Sequence, residues 1–247
     1  MSVSRIVSNG DHHASTSIHP GLPQRLASFA VIRQCHRGEE ICSQGRPAEC
    51  WYRLMSGIAR RCAVRADGRR QIIDLLLPGD FFGFTPTDEY DFTVEAAVEG
   101  TKVASFPRQR LELLADSDPQ LAREIRQAAF ETLSRLQTQL LTLGRITAPE
   151  KVGSFLLDLA SRSAHASDGR VALPISRYDI ADYLALSVET VSRSLTDLKN
   201  RGVIRLLSTR TVMIVDRSAL DNWERHPNAC HVLDIDRGAR PRIARAG

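Results

Sequence analysis

The chain has 247 residues, of which 43% are hydrophobic and 25% are charged, and its formal net charge is +4. That apolar share is too high for a disordered chain, and the length allows two sizeable cores, so we expect a globular protein of one or two domains. No apolar run approaches the roughly 18 residues of a transmembrane helix, which excludes a membrane span. The N-terminus has no apolar signal segment, and we therefore expect a cytoplasmic protein.

The cysteine pattern argues against a disulfide framework. The five cysteines are an odd number, no C-x-x-C pair occurs, and the chain is expected to be cytoplasmic. Cys35, Cys42, Cys50 and Cys62 lie within one short stretch, whereas Cys230 lies far from them. This cluster leaves a redox or metal site open, with ordinary half-buried thiols as the alternative. The residues themselves predict no metal and no cofactor.

The first half of the chain is predicted to be a strand-rich domain behind a short lead. Residues 1–21 show no hydrophobic periodicity and are expected to be a disordered lead. Residues 22–107 alternate short apolar runs with turn signals, which predicts a sandwich, barrel or jelly roll. Within them, Asp67-Gly68 between two apolar runs predicts a hairpin.

A helical region is predicted over residues 108–145, with a break at Asp116–Pro119. Beyond the break, apolar side chains recur at 4-3-4-3 spacing, which is typical of a coiled-coil seam. We call this set the leucine seam: Ala129, Leu133, Leu136, Leu140 and Leu143. The seam predicts a dimerisation helix, and the alternative is that this face packs on its own domain.

Residues 146–222 are predicted to form a winged helix-turn-helix domain. Ser176 with Asp179 resembles a capping box that opens a short helix, and Ser187 is placed to cap a second one. The turn between them carries Ala185 where many such motifs carry glycine. Alanine is the costlier residue there if the backbone φ is positive.

The second helix has an apolar and a polar stripe. Its expected inner face is Val188, Val191, Leu195 and Leu198. The opposite stripe then presents Glu189, Ser192 and Arg193 for base readout, followed by Thr196 as a phosphate contact. Arginine pairs with guanine O6 and N7, and glutamate accepts from cytosine N4. The alternative is an exposed i, i+4 ion pair between Glu189 and Arg193.

Basic residues continue downstream of this helix. Two strands are predicted at residues 203–206 and 211–215, which together form a β-wing with Arg205 and Arg210 near phosphate. Residues 223–247 are rich in Pro, Arg and Gly and are expected to be a basic tail. A basic stretch of this kind is the footprint of a polyanion such as DNA.

Taken together, residues 22–222 resemble the CRP/FNR family of bacterial transcription regulators. The segment Asp179–Arg193, DIADYLALSVETVSR, is similar to the FNR and FixK branches, and Leu77–Gly83, LPGDFFG, matches the family's β-roll, as does the Gly57 turn. The resemblance implies an α+β fold. In chain order this is an antiparallel, cyclic-nucleotide-binding-like β-roll, a long dimerisation helix and a winged helix-turn-helix.

Departures from the family pattern narrow the expected function. Gly83 is followed by Phe84, and the later segment reads Phe92-Thr93, so the residues that bind the cyclic-nucleotide phosphate and ribose are missing. Residues 1–34 contain no cysteine, so the iron–sulfur cluster of FNR members is not expected. The chain therefore resembles the FixK branch, which implies control of microaerobic and nitrogen-fixation genes.

The resemblance implies a homodimer that binds a TTGA-type palindrome in double-stranded DNA and acts mainly as an activator. An activator must contact RNA polymerase, and the acidic loop Thr85–Asp91 is the candidate surface. One alternative is the same DNA-binding fold gated by a redox, metal or small-molecule effector in the roll. A remote alternative is a cupin-like enzyme, although the roll region holds only His36 of the histidines that a cupin metal site needs.

Overall fold

The computed structural model describes residues 24–64, 70–162 and 169–220. The expected lead (1–21), the basic tail (223–247) and the Asp67-Gly68 turn therefore lie outside the described residues. The chain divides after Gln137 into an N-terminal and a C-terminal unit. In the described ranges, no helix is long and apolar enough to cross a membrane.

The N-terminal unit is built on two four-stranded antiparallel sheets. One has the strand order β1-β8-β3-β6 and the other β2-β7-β4-β5, and short helix α1 (Gln24–Ala27) precedes both. The strands are β1 (Val31–Cys35), β2 (Glu40–Cys42), β3 (Cys50–Ser56), β4 (Ala59–Val64), β5 (Arg70–Leu76), β6 (Phe81–Phe82), β7 (Thr93–Ala96) and β8 (Thr101–Pro107).

Alternating side chains give this unit two apolar cores, because successive residues of a strand point to opposite faces. On β8, Val103 belongs to the core shared by both sheets, with Leu54 and Leu76. Its neighbours Ala104 and Phe106 belong to the other core, which also holds residues of the flanking helices. The predicted β-roll is therefore confirmed.

Glycine is required where the chain turns from β3 into β4. Gly57 has a φ of +82°, and a Cβ there would lie 2.6 Å from Thr101 Oγ1. Any other residue at this position would have a strained backbone, and its Cβ would clash with Thr101. The β4–β5 hairpin then pairs Ala59 with Leu76.

Two helices follow the roll: α2 (Arg108–Ser117) and α3 (Pro119–Leu143). The break between them is at Asp118, whose Oδ1 accepts hydrogen bonds from the backbone N–H of Gln120 (2.9 Å) and of Leu121 (3.1 Å). Two of the unpaired N–H groups at the start of α3 are satisfied in this way.

The C-terminal unit contains helices α4 (Ala148–Arg162), α5 (Arg177–Leu184) and α6 (Val188–Asn200). Its sheet has the order β10-β11-β9, formed by β9 (Arg170–Ala172), β10 (Ile204–Ser208) and β11 (Thr211–Ile214). Strand β9 carries no clear sequence signal and was not predicted. The wing strand β10 also runs two residues further than expected, with an irregular register between Leu206 and Ser208.

Candidate nucleic-acid interface

Reciprocal hydrogen bonds start helix α5. Ser176 Oγ accepts from the backbone N–H of Asp179, and Asp179 Oδ2 accepts from the backbone N–H of Ser176, both at 3.1 Å. The helix ends at Ala185, which has a φ of +52°. The left-handed turn expected from the sequence is therefore present with an alanine in it, at a conformational cost that glycine avoids.

Helix α6 is fixed by a buried apolar face. Val191, Leu195 and Leu198 are at most 2% exposed, while Val188 is half-buried. The helix contacts α4 and α5 through this face. Ser187 caps the helix by accepting from the backbone N–H of Thr190 at 3.1 Å. Buried packing together with the cap sets the rotation of α6 about its axis.

That rotation leaves the predicted readout stripe in solvent. Glu189, Ser192, Arg193 and Thr196 are all exposed. The Thr196 hydroxyl donates to the backbone carbonyl of Ser192 at 3.0 Å, so it is partly used inside the helix. The stripe therefore presents a carboxylate, a hydroxyl and a guanidinium over the first two turns of α6. Recognition helices use their N-terminal turns in this way.

The electrostatics of the stripe keep Glu189 ionised. Hydrogen bonding to its own backbone N–H and to the Ser187 hydroxyl lowers the pKa of Glu189, and the charge of Arg193 adds a smaller effect in the same direction. Among the hydrogen bonds and ion pairs of the described ranges, none joins Glu189 to Arg193. The Arg193 guanidinium is thus open to an external partner, while the exposed Glu189 carboxylate is shared with local donors of the helix start.

The wing supplies two further exposed cations. Arg205 lies on β10 opposite Met213, and Arg210 lies in the turn between β10 and β11, where its backbone N–H donates to Ser208 Oγ at 3.1 Å. Neither guanidinium is buried in the unit, so both are available to phosphate oxygens.

Two residues at the start of α5 are further candidates for phosphate contact that the sequence analysis did not select. Tyr178 is 75% exposed. Arg177 is half-buried, burial lowers its pKa, and its Nη1 has no hydrogen-bond partner within the described part of the chain. The available signal was their position directly after the Ser176 cap, because backbone N–H groups at a helix N-terminus attract phosphate.

The leucine seam is largely exposed on α3. Leu133 is 51% and Leu140 is 71% exposed, Ala129 is exposed, and Leu136 and Leu143 are half-buried. An apolar stripe of this length in solvent is typical of a protein interface. Two exposed neighbours, Phe130 (59%) and Leu141 (70%), widen the stripe and were not predicted.

Comparison with known proteins identifies the family. Residues 150–223 match the Crp-like helix-turn-helix domain, and residues 32–118 match the cyclic nucleotide-binding domain. The nitrogen fixation regulation protein FixK of Azorhizobium caulinodans is 46% identical over 200 residues, which is 80% of each chain. The chain belongs to the CRP/FNR family of transcription regulators.

Two further relatives agree. The transcriptional activator protein FnrL of Cereibacter sphaeroides is 32% identical over 201 residues, or 79% of this chain and 81% of FnrL. The structure of FixK2 from Bradyrhizobium japonicum has a TM-score of 0.72 at 38% identity, covering 78% of this chain and 96% of FixK2. The CRP/FNR regulator described here is thus a DNA-binding protein and not an enzyme, so the cupin-like alternative is wrong.

Two roll positions correspond to those at which other family members bind a cyclic nucleotide. In this CRP/FNR regulator, the residues at these positions make contacts within the protein. The Phe84 ring packs edge-on against Trp51 with centroids 4.8 Å apart. Thr93 Oγ1 accepts from the backbone N–H of Gln44 at 3.0 Å. These are an aromatic contact and a turn contact, and neither supplies a cation to a phosphate.

The roll also binds helix α3 through buried charges, which we call the roll–helix ion cluster: Arg61, Asp74, Asp80 and Arg135. Arg135 lies 3.3 Å from Asp80 and 3.5 Å from Asp74, and Arg61 lies 3.9 Å from Asp74. Burial lowers the pKa of Arg61. Helix α3 is therefore held on the roll by the protein's own charges.

The clustered cysteines resemble core thiols. Cys35, Cys42 and Cys62 are buried and Cys50 is half-buried. Burial raises the pKa of Cys42 and of Cys62 to about 12, so neither is a thiolate at neutral pH. Within the described ranges, no three His, Cys, Asp or Glu side chains gather as metal ligands. Cys230 lies outside those ranges.

Proposed function

We propose that this CRP/FNR regulator is a dimeric, sequence-specific activator that binds TTGA-type palindromes. One observation supports the proposal above the others: the buried face of α6 fixes the helix so that Glu189, Ser192 and Arg193 are exposed together. Their spacing suits a guanine contact by the arginine and a cytosine contact by the glutamate on adjacent base pairs. Arg205, Arg210 and, more weakly, Thr196 then contact phosphates.

The dimer is proposed to form through the leucine seam of α3. The exposed apolar stripe needs an occupant, and a second copy offers an identical stripe that pairs about a two-fold axis. Two-fold symmetry in the protein matches two-fold symmetry in a palindromic site, with the two recognition helices about one DNA turn, or ~34 Å, apart.

Polymerase contact is assigned to the loop Thr85–Asp91. The Thr85 hydroxyl donates to Asp91 Oδ2 at 2.9 Å, and Arg108 Nη1 donates to the Thr87 carbonyl at 2.8 Å. These bonds order the loop, while Asp88 and Glu89 stay exposed. An ordered, exposed acidic surface suits a basic patch on RNA polymerase.

The cellular role is proposed from the relatives. The FixK proteins of Azorhizobium caulinodans and Rhizobium meliloti are nitrogen fixation regulation proteins. We assign the same class of genes to this regulator, which acts where the bacterial chromosome lies, in the cytoplasm. The roll is proposed to need no cyclic nucleotide, because internal contacts occupy Phe84 and Thr93 and the roll–helix ion cluster holds α3 without a ligand.

The decisive experiment is an anisotropy titration of the purified protein on three labelled duplexes. They carry a TTGA palindrome, the same palindrome with each guanine replaced, and a scrambled sequence. With no added ligand, we expect binding to the palindrome to be at least about 10³-fold tighter than to the scrambled duplex. Cyclic AMP should leave the curves unchanged and give no saturable heat in calorimetry. Equal affinity for all three duplexes, or strict dependence on the nucleotide, contradicts the proposal.

A further inference from the structure

In the last turns of helix α3, polar side chains are buried and apolar side chains are exposed. Between residues 138 and 143, the polar Gln139 and Thr142 are only 6% and 5% exposed, whereas Leu140 and Leu141 are 71% and 70% exposed. A surface helix ordinarily buries its apolar side and exposes its polar side. The exposed leucines are available to the proposed partner subunit, and buried Gln139 bonds within its own C-terminal unit.

Gln139 makes a specific bond on the buried side. Its Nε2 donates to the backbone carbonyl of Tyr183 at 2.6 Å. Tyr183 is the penultimate residue of α5, where backbone carbonyls lose their helical donors. The N–H groups of the turn go elsewhere: Ala185 donates to the Ala181 and Asp182 carbonyls, and Leu186 donates to Ala181. The amide of Gln139 thus supplies a donor to the end of α5.

This bond joins the last turns of α3, which carry Leu140 and Leu143 of the seam, to the helix-turn-helix. Leu140 is the next residue after Gln139, and Tyr183 stands two residues before the Ala185 turn that leads into α6. The Tyr183 ring also packs on Phe155 of α4, with centroids 5.7 Å apart. The carbonyl that Gln139 binds is therefore itself held in the domain core.

We propose that Gln139 is a positioning residue that determines which spacing between DNA half-sites the dimer accepts. The inference rests on the proposed dimer through α3. If Leu140 and Leu143 lie at the two-fold axis, the Gln139 bond fixes where α6 stands relative to them, because all of these residues belong to the C-terminal unit. The donor at this site can be removed in two ways, because a carboxylate is repelled by the carbonyl and an apolar chain donates no hydrogen bond to it.

The test varies the distance between half-sites. One inserted or deleted base pair moves the half-sites by about 3.4 Å and rotates them by about 34°. Wild-type protein is expected to prefer one spacing by about tenfold or more, because only that spacing lets both half-sites bind as one event. In Gln139→Met and Gln139→Glu, we expect weaker binding at the preferred spacing and a preference reduced to about threefold or less.

Three controls isolate a positioning role. Affinity for a single half-site duplex and the light-scattering mass should equal those of the wild type in both variants. Gln127→Met, an exposed glutamine on the same helix, should keep the full spacing preference. Thermal melting reports whether each variant is folded. If one of the two Gln139 variants fails to fold, the other still provides the test.

Three other outcomes would contradict the positioning role of Gln139 or the dimer on which it rests. A Gln139→Met protein that is as selective for spacing as the wild type overturns this inference alone. Half-site binding that falls as much as palindrome binding overturns it too, because Gln139 would then only support the fold of the domain. A wild-type protein with no spacing preference overturns the proposed dimer geometry and this inference with it.

Discussion

At the residue scale, helix α6 separates side chains that hold the fold from those that are free to act. Val191 and Leu195 are buried, whereas Ser192 and Arg193, their immediate neighbours, are exposed. A substitution on the exposed stripe should therefore alter recognition with little effect on stability. Substitutions on the surface usually change the free energy of unfolding by less than about 0.5 kcal/mol.

Replacing Arg193 by alanine tests base readout. Arg193→Ala should weaken binding to a TTGA palindrome by roughly 1–3 kcal/mol per half-site and relax the preference for guanine, because the bidentate contact is lost. Titration of the variant on TTGA and guanine-substituted duplexes measures both effects. A variant that discriminates between these duplexes as well as the wild type does would show that Arg193 is not in the groove.

The wing arginines should behave differently. Arg205→Ala and Arg210→Ala remove phosphate contacts, so binding to every sequence should weaken alike, and the slope of log K against log salt should fall by about one unit per site. Titrations at four salt concentrations on specific and scrambled duplexes provide the slopes. An unchanged slope in either variant would remove that arginine from the interface.

The cysteines provide a test of the redox alternative. Because burial holds the pKa of Cys42 and Cys62 near 12, the thiolate form that reacts is scarce at pH 8 in the folded protein. Iodoacetamide labelling followed by peptide mapping should show both cysteines protected in native protein and modified in urea. Cys50, which is half-buried, should label before them. Rapid native labelling of Cys62 would favour a reactive, signal-responsive thiol.

At the scale of elements, the roll and helix α3 are joined by charged side chains that are largely buried. Asp74 has a side chain only 2% exposed and that of Arg135 is 12% exposed. A buried ion pair is costly to form, and removal of one partner leaves the other charge uncompensated. The roll–helix ion cluster is thus a sensitive point of the N-terminal unit.

Two matched substitutions, Asp74→Asn and Glu112→Gln, measure how strongly the stability of the N-terminal unit depends on the ion cluster. Both replace a carboxylate by its amide. Asp74→Asn leaves buried Arg61 without its partner and should lower the free energy of unfolding by about 3 kcal/mol. Glu112 pairs with Arg108 on the surface of α2 at 2.8 Å, and Glu112→Gln should cost less than about 1 kcal/mol. Urea unfolding of the three proteins compares them, and equal midpoints would mean that the cluster adds nothing.

At the scale of the whole molecule, the leucine seam connects the fold to its proposed assembly. The seam lies outside the buried clusters of the roll and is exposed at Leu133 and Leu140. Burying such a stripe between two copies makes binding to the second half-site effectively intramolecular. Affinity for the palindrome should therefore depend on the seam, and affinity for a half-site should not.

Glutamates in the seam should separate the subunits. The double substitution Leu136→Glu and Leu140→Glu places like charges across the interface, at a cost of several kcal/mol. Light scattering should give the monomer mass, with tight palindrome binding lost and half-site binding kept. Leu113→Glu alters a 70% exposed leucine on α2 and should leave the dimer intact. A dimeric double variant with normal binding would place the seam within one subunit.

The sequence by itself determined the local features of this protein. Ser176 and Ser187 cap their helices, and the 3.6-residue period of α6 separates its buried face from its exposed one, because caps and periodicity depend on residues only a few positions apart. The same periodicity placed Glu189, Ser192 and Arg193 on the exposed face of α6, where the structure has them. The order of roll, helix and winged helix-turn-helix followed from the family resemblance that these motifs carry.

Only the tertiary structure decided the contacts between distant segments. Strand β9 forms because β11 offers it an edge, and Gln139 is buried because the end of α5 lies against it. Polarity alone places a glutamine on the surface, whereas Gln139 is only 6% exposed here. Burial is set by what packs against a side chain, so a pairing 44 positions apart in the chain leaves no periodic trace in the sequence.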